Sequence, residues 1–505
     1  MDDGTRYVIQ ESNQALVGQH FVGGHVAYKL NSSKSYLKNN LSVNASFPKN
    51  EGLVNDFVAQ TLSGHSFLLS NVLKANYKKK NGGVADLEWK ASFADKRGVL
   101  NMSETKMSQL LRQRNFQSEA TGSLLAFTIP HLMFNLNGKV MFDWQRVSAG
   151  LNSLSDASGS EQKTWLLGAF VSPKILLHFG NRLQWLVYVP VGVKYYHSAD
   201  GTLDYDKHFF STCPYSNLTY KPTGRLSFDL TTICEESMPS VLSQMVLKHF
   251  VNYRTTMSNP HQVEIAPNRS VKLAFTSSYK DIIKMLFGGV TLSYVDARNG
   301  NSMGYQVVDD VVNYIVQPQS TKNRVWQIEQ TVSKGFFRWN SKISESLSIG
   351  TSRSEYYVGG DCHDGRSDYL QAKISYVASV RKWLNLSISN DYSVSKPYTD
   401  GKASGDVYRT FMNASSFTFW LGKQLNVVPS VQYYHNNYFS SGRNNVFLNT
   451  VMEYYWGNAT FSLKCTNLLD RRTFHRIIDN GITRYSGEYQ LRGRTILFGI
   501  RIKII

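Results

Sequence analysis

The densest run of potential ligands in the chain is Asp361-Cys362-His363-Asp364-Gly365, which sets a thiol and an imidazole beside two carboxylates. Such a mixture of soft and hard donors is the material of a transition-metal site. Four adjacent residues seldom converge on one ion without ligands from elsewhere, and Gly359-Gly360 with Gly365 reads more simply as a flexible loop. Asp309-Asp310, and the pair Asp204 and Asp206, read as solvated loop acids rather than calcium ligands. The glycine pairs Gly23-Gly24, Gly82-Gly83 and Gly288-Gly289 lack the spacing of a phosphate loop. The 12 histidines are dispersed, and no Ser/His/Asp or Glu/His arrangement stands out. The sequence therefore assigns no catalytic residue, no metal and no cofactor, and the chain reads as a non-enzyme. Glu88, Glu329 and Glu453 alternate with apolar neighbours, which places them on the polar side of strands, within reach of Lys90, Lys464 or Arg501.

The elements that carry these residues have a period of two. Leu132, Phe134, Leu136, Gly138, Val140, Phe142 and Trp144 alternate with Asn135, Asn137, Lys139, Asp143 and Gln145. Trp185 to Val193, Leu370 to Tyr376, Leu425 to Tyr433 and Ala459 to Leu463 repeat the pattern. The chain ends in the same way: Ile496, Phe498, Ile500, Ile502 and Ile504 share one face, and Leu497, Gly499, Arg501 and Lys503 the other. Side chains alternate across a strand, so each run has one apolar wall and one polar wall. Many runs reach the roughly 9–11 residues that cross a bilayer at a tilt, longer than the usual ~5–6 of soluble sheets. Tight turns are expected near 31–35, 80–83, 129–131, 179–182, 379–382, 421–423 and 456–458. Long polar connections are expected at 94–120, 147–163, 356–367, 395–408 and 470–488. Short turns at one end and long loops at the other are the pattern of an outer-membrane barrel, here of about 20–22 strands. Rings cluster at segment ends, as at Trp144, Trp165, Trp185 and Tyr454-Tyr455-Trp456, which fits interfacial girdles.

Composition agrees with this class. Mean hydropathy is −0.31, and there is no apolar run of the ~18 residues that a spanning helix needs. Alternate residues alone meet lipid in a barrel, so low hydropathy does not exclude one. Met1-Asp2-Asp3-Gly4 shows neither a basic nor an apolar export region. Four cysteines (213, 234, 362, 465) form no CxxC pair, and a Cys213–Cys234 bridge between loop segments is left open. The formal charge of +18 reads as basic residues scattered over polar faces and loops, with an anion-attracting lumen as the alternative. No helix-turn-helix, zinc-finger or RNP-type pattern points to nucleic acid.

Asn467-Leu468-Leu469-Asp470, followed by Leu491-Arg492-Gly493-Arg494 and the final alternating strand, resembles the last hairpin of Bacteroidota TonB-dependent receptors, an outer-membrane β-barrel family. Arg225–Leu230, then Met238-Pro239-Ser240 and Asn259-Pro260, is similar to a strand and loop of the same family, and 323–349 to the hairpin that follows. The resemblance covers about 215–505 by motif and 1–214 by pattern. It implies an all-β, large antiparallel transmembrane β-barrel with short periplasmic turns and long extracellular loops, in the outer membrane of a Gram-negative bacterium. The expected domain is one barrel over 1–505, without the plug domain and signal peptide of a complete receptor. The implied function is the barrel portion of a nutrient receptor for a siderophore, glycan or peptide. The implied partners are outer-membrane lipid and lipopolysaccharide, the barrel-insertion machinery, a surface lipoprotein, and TonB if a plug is supplied elsewhere. The alternatives are a plugless porin-like pore or non-transporting remnant, and a secreted soluble β-sandwich binding protein. The last strand is expected to face lipid through Ile496, Phe498, Ile500, Ile502 and Ile504, and to close the barrel against the first strand.

This reading predicts that Ile500→Asp and Ile502→Asp block assembly, since a midplane charge facing lipid costs about 2–4 kcal/mol. Arg501→Ser and Lys503→Ser should assemble normally. Heat-modifiable gel mobility after refolding in detergent checks both, and equal behaviour of the two pairs contradicts the assignment.

Overall fold

The computed structural model describes residues 13–503, apart from 55–56, 79–83, 104–105, 153–156, 201–203, 253, 261–262, 309–310, 438–442 and 480–483. Seven long strands open the chain: β1 (Asn13–Asn31), β2 (Ser35–Val54), β3 (Phe57–Lys78), β4 (Val84–Met102), β5 (Met107–Ile129), β6 (Leu132–Asn152) and β7 (Ala157–Phe179). The next two staves are each broken at a proline. β8 (Leu183–Tyr188) resumes past Pro190 as β9 (Val191–Ala199), and β10 (Asp204–Thr212) passes Cys213-Pro214 into β11 (Tyr215–Tyr220). Proline has no N–H to give a ladder, which favours both breaks, although Pro48, Pro173, Pro397 and Pro429 are held within continuous strands. At the second break the Cys213 and Cys234 sulfurs lie 3.4 Å apart as free thiols.

β12 (Leu226–Ser237) leads into an excursion with a 3-10 turn at Val241–Gln244 and two short strands, β13 (His249–Asn252) and β14 (Thr255–Ser258). β15 (Asn268–Asp281) and β16 (Leu286–Asn299) follow, then the small hairpin β17 (Ser302–Val308) and β18 (Val311–Gln317). The wall continues with β19 (Thr321–Phe336), β20 (Ser341–Val358), β21 (Asp361–Arg381), β22 (Leu384–Thr399), the two-residue β23 (Lys402–Ala403), β24 (Tyr408–Leu421), β25 (Leu425–Asn436), β26 (Asn444–Trp456) and β27 (Ala459–Thr466). A separate hairpin, β28 (Thr473–Asp479) with β29 (Arg484–Gln490), precedes the last strand, β30 (Thr495–Ile502).

Neighbouring staves pair antiparallel in sequence order from β1 to β30, giving twenty-one staves in one continuous sheet among the described residues. This is the large antiparallel wall that the alternation predicts. The expected pairing of the last strand with the first is a different matter. With twenty-one antiparallel staves β1 and β30 run in the same direction, whereas an all-antiparallel closure needs an even number. No ladder joins the two among the described residues.

The sheet is inverted with respect to a water-soluble protein. Across β6–β10 the exposed face is apolar, with Val193 60 % and Phe210 62 % exposed, while Gln162 and Thr164 are each 4 % exposed on the other. Register aligns the outward side chains in rows. Phe93, Phe116, Trp144 and Trp165 stand side by side across β4–β7, above a row of Trp89, Ala120, Val140 and Ala169.

One set of connections differs from expectation. The stretches 94–120, 147–163 and 356–367, expected as long loops, are mostly ladder, with Met102 paired to Met107, Asn152 to Ala157 and Val358 to Asp361. Above the apolar band apolar and polar residues mix on the inward face, where Leu111, Val147 and Ala149 lie, and the outward face turns polar, so the alternation disappears while backbone pairing continues. The tight turns at 31–35, 129–132, 179–183, 381–384, 421–425 and 456–459 fall as expected, and the one at 80–83 lies outside the described residues.

The two halves of the C-terminal motif form one corner at the long-loop end of β27 and β30. Asn467 donates its side-chain amide to the Arg471 and Arg492 carbonyls (2.7 and 3.0 Å) and accepts the Arg471 N–H (2.9 Å). Asp470 accepts the Arg494 N–H at 2.8 Å, and Arg494 donates to the Leu468 carbonyl. Asn467 and Asp470 both have positive φ (54° and 52°), a region that Asn and Asp tolerate better than most. A Cβ at Gly493 would crowd the Arg472 guanidinium and stand 2.7 Å from the Asp470 carboxylate, so a side chain there would push both aside. The Arg494 N–H, then the Arg472 side chain, hold the Asp470 carboxyl below its ordinary range.

Asn467→Ala removes three hydrogen bonds around a buried side chain and leaves two carbonyls without that donor. The expected loss is about 2–4 kcal/mol. Urea unfolding of the detergent-folded protein should show a lower midpoint, and an unchanged midpoint with unchanged proteolysis of 467–495 contradicts the role of the corner.

Candidate functional site

The excursion between β12 and β15 folds inward over the concave face and packs on strands three to five staves away. Its start is set locally. Pro239 lacks an N–H, Ser240 accepts the Leu242 N–H at 3.3 Å, and the chain turns through Val241–Gln244. Val241 and Met245 are buried against Val147 and Ala149 of β6, flanked by Leu111, Leu242 and Leu247. This is the main apolar contact of the interior among the described residues, and it joins a loop to the wall.

Polar bonds surround that contact. The Tyr196 hydroxyl (β9) donates to Gln244 Oε1 at 2.5 Å, and Gln162 (β7) donates to Ser198 (β9) at 2.7 Å. Gln109 of β5 clasps the excursion by both amide atoms. Its Oε1 accepts the Phe250 N–H (2.6 Å) and its Nε2 donates to the Phe250 carbonyl (2.8 Å). Buried amides need such partners, because an unpaired one costs about 1–3 kcal/mol.

Asn259 staples the return of the loop. Its N–H donates to the Met245 carbonyl (2.8 Å), and its side chain accepts from the Val263 N–H (2.9 Å). The Pro239-Ser240 and Asn259-Pro260 motifs thus mark the entry and the exit of the inward loop. Beyond it, β14 pairs parallel with β18, β18 antiparallel with β17, and β17 parallel with β20 at Gly304–Tyr357. The excursion is therefore a cap tied to the wall on one side and to the rim on the other.

On β15, β16 and β19–β21 the concave wall is rich in hydroxyls. A cavity of about 460 Å³ is lined by Thr276, Thr291, Glu329, Thr331, Ser346 and Lys373, among others. Such a surface offers hydrogen bonds to a polar solute and has no nucleophile–base arrangement.

The candidate residues from sequence are dispersed. Ile496, Phe498, Ile500 and Ile502 are exposed on one face of β30, Leu497 is exposed on the other, and Ile504 lies outside the described residues. Arg492, Gly493 and Arg494 belong to the corner with Asn467, Leu468, Leu469 and Asp470, not to the cap. Glu88 pairs with Lys74 (3.0 Å) and Lys90 (3.4 Å), Glu329 accepts from Gln327, and Glu453 accepts from Tyr455. His363 Nδ1 lies 2.8 Å from Asp400 in the neighbouring loop, and among the described residues no three His, Cys, Asp or Glu side chains gather around one point. The His363 hydrogen bond and the Asp364 N–H lower the Asp400 carboxyl from its ordinary value. Asp204 and Asp206 both face His197, while Asp309-Asp310 lies outside the described residues. Cys465 shares the outward face of its register partner Ile496 and is buried there among its neighbours. The anchors Gln109, Gln162, Tyr196 and Gln244 carried no sequence signal, since each looks like an ordinary polar strand or loop residue.

His249 at the start of β13 is buried, and desolvation lowers its pKa below the ordinary 6.5. Its neutral form is favoured in the folded cap, so this stability is present above pH 6.5 and declines as pH falls through the lowered value. Amide exchange at Phe250, corrected for intrinsic rate, should accelerate between about pH 7.5 and about pH 5.5. His249→Gln should remove that pH dependence, and Gln109→Ala should speed exchange at both values. An unchanged pH response in His249→Gln contradicts this account.

The sequence matches no family model and no curated protein. Among solved structures, the FpvAI receptor in its complex with pyocin S2 is similar over 97 % of this chain and 66 % of its own, with TM-score 0.56 and 9 % identity. The ferripyoverdine receptor of the outer membrane of Pseudomonas aeruginosa, bound to ferripyoverdine, gives TM-score 0.56 over 97 % of this chain and 65 % of its own at 9 % identity. The ferric enterobactin receptor PfeA, in complex with BCV-L6, gives TM-score 0.53 over 96 % and 70 % at 12 % identity. The chain thus spans about two thirds of the length of the first of these receptors, and what it shares with them is the fold: the large antiparallel β-barrel wall of outer-membrane receptors.

Proposed function

We propose that this chain forms the wall and mouth of an outer-membrane uptake receptor of the TonB-dependent type in a Gram-negative bacterium. The inward-folded cap carries the reading. A loop anchored by Met245, Gln109 and Tyr196 across the interior supports a capturing receptor over a wide, unobstructed pore. In a receptor, that loop narrows the mouth and presents polar groups to a captured nutrient: a siderophore chelate, a glycan or a peptide. The apolar convex face supports contact with outer-membrane lipid and lipopolysaccharide, and assembly by the barrel-insertion machinery. TonB would act only where a plug accompanies this wall, and a surface lipoprotein would meet the long-loop end. The rest of 1–505 serves as one barrel wall.

Planar-bilayer conductance tests this reading. The protein with its cap should show small conductance, and replacing Val241–Ser258 with a short Gly/Ser linker should raise it several-fold and abolish ligand capture. A large, steady conductance that ignores the replacement points instead to an open pore. Recovery in the soluble periplasm without detergent overturns the membrane reading altogether.

A further inference from the structure

Immediately above the aromatic row of β4–β7, the outward face changes character. The next outward row, two residues further along each strand, holds Asp95, Arg114, Arg146 and Lys163 side by side. The row beyond it adds Arg97, Arg112 and Glu161. Five cations thus face outward on four neighbouring strands, against two carboxylates. Asp95 accepts from Arg112 (2.5 Å) and Arg114 (3.3 Å), and Glu161 from Arg146 (2.5 Å) and Lys163 (2.9 Å). Arg97 is exposed and has no ion pair among the described residues.

Like charges directly opposite one another destabilise a sheet, and Arg114–Arg146–Lys163 is a run of three. Two carboxylates orient the side chains without neutralising them. An outward cationic strip on the apolar wall needs anions from outside the chain. Its position decides which anion: the strip sits one row above Phe93, Phe116, Trp144 and Trp165, at the border between the apolar band and the polar extension. The patch ends at β10, where Asp204 and Asp206 engage His197.

We propose that this strip binds the phosphorylated sugar headgroup of an outer-leaflet glycolipid, whose acyl chains lie on the apolar rows below. The proposal rests on the outer-membrane reading and adds a specific docking surface to it. Arginine forks suit phosphate oxygens, and the preset carboxylate bonds hold those forks outward.

The test uses the full chain inserted into phosphatidylcholine vesicles with bisphosphorylated lipid A, with dephosphorylated lipid A, or with inorganic phosphate in solution. Bound lipid is read by native mass spectrometry, and barrel stability by heat-modifiable mobility. Bisphosphorylated lipid A should bind and stabilise the wild type, and R114Q/R146Q/K163Q should weaken binding roughly a hundredfold. R114K/R146K should retain most of it. If the triple variant does not fold, the wild-type preference for the phosphorylated lipid decides the matter. Equal binding of both lipids, equal binding by a folded triple variant, or full replacement by inorganic phosphate overturns the proposal. Insertion with no lipid preference sinks the strip alone, whereas failure of the wild type to insert overturns the membrane reading as well.

Discussion

Everything in this molecule depends on satisfying the backbone without water. Inside hydrocarbon an unpaired N–H or C=O costs several kcal/mol, so a wall of strands is viable there only as an unbroken ladder. The continuous antiparallel pairing from β1 to β30 meets that demand along its length. Once the backbone is paired, side chains are free to invert the usual arrangement, and Val193 and Phe210 face out while Gln162 and Thr164 face in. The two prolines that interrupt the ladder, Pro190 and Pro214, lie on adjacent staves. There the free carbonyls of Pro173 and Pro214 still receive N–H groups from Val189 and Cys234.

The polar concave face then becomes a surface on which a loop can dock. Burial of Val241 and Met245 on Val147 and Ala149 would be unremarkable in a soluble core, but here it is a local apolar patch inside a polar interior. Tyr196, Gln162 and Gln109 ring the patch with hydrogen bonds that water would otherwise contest. Position along the strand separates the two roles of the wall. The outward apolar rows, the aromatic row and the cationic strip follow one another on β4–β7, while the cap is held on the inward face at the same end.

Much of this was legible from alternation alone, because a period of two survives wherever the two faces meet different media. The apolar rows, six tight turns and a stave count within 20–22 follow from that single signal. The extensions at 94–120 and 147–163 gave no such signal, since their outward face is polar and their inward face mixes polar residues with Leu111, Val147 and Ala149, so only the backbone ladder reveals them. The cap was marked by Pro239-Ser240 and Asn259-Pro260 but not described by them. Its chief clasp joins Phe250 to Gln109, 141 residues away, and no local pattern encodes that pairing. The motif at 467–470 and 491–494 was recognisable as a unit, yet only its geometry explains why Asn, Asp and Gly stand there.

The central claim is that the convex face meets lipid and the concave face meets water. Adjacent positions in the middle of β19 test it most directly, since Ile328 and Gln327 point to opposite sides. Nitroxide labels on Ile328→Cys and Gln327→Cys, in protein reconstituted into bilayers, would be probed with oxygen and with a water-soluble nickel chelate. The label at 328 should be relaxed by oxygen and shielded from nickel, and the label at 327 should show the reverse. Nickel access at both positions would contradict the account.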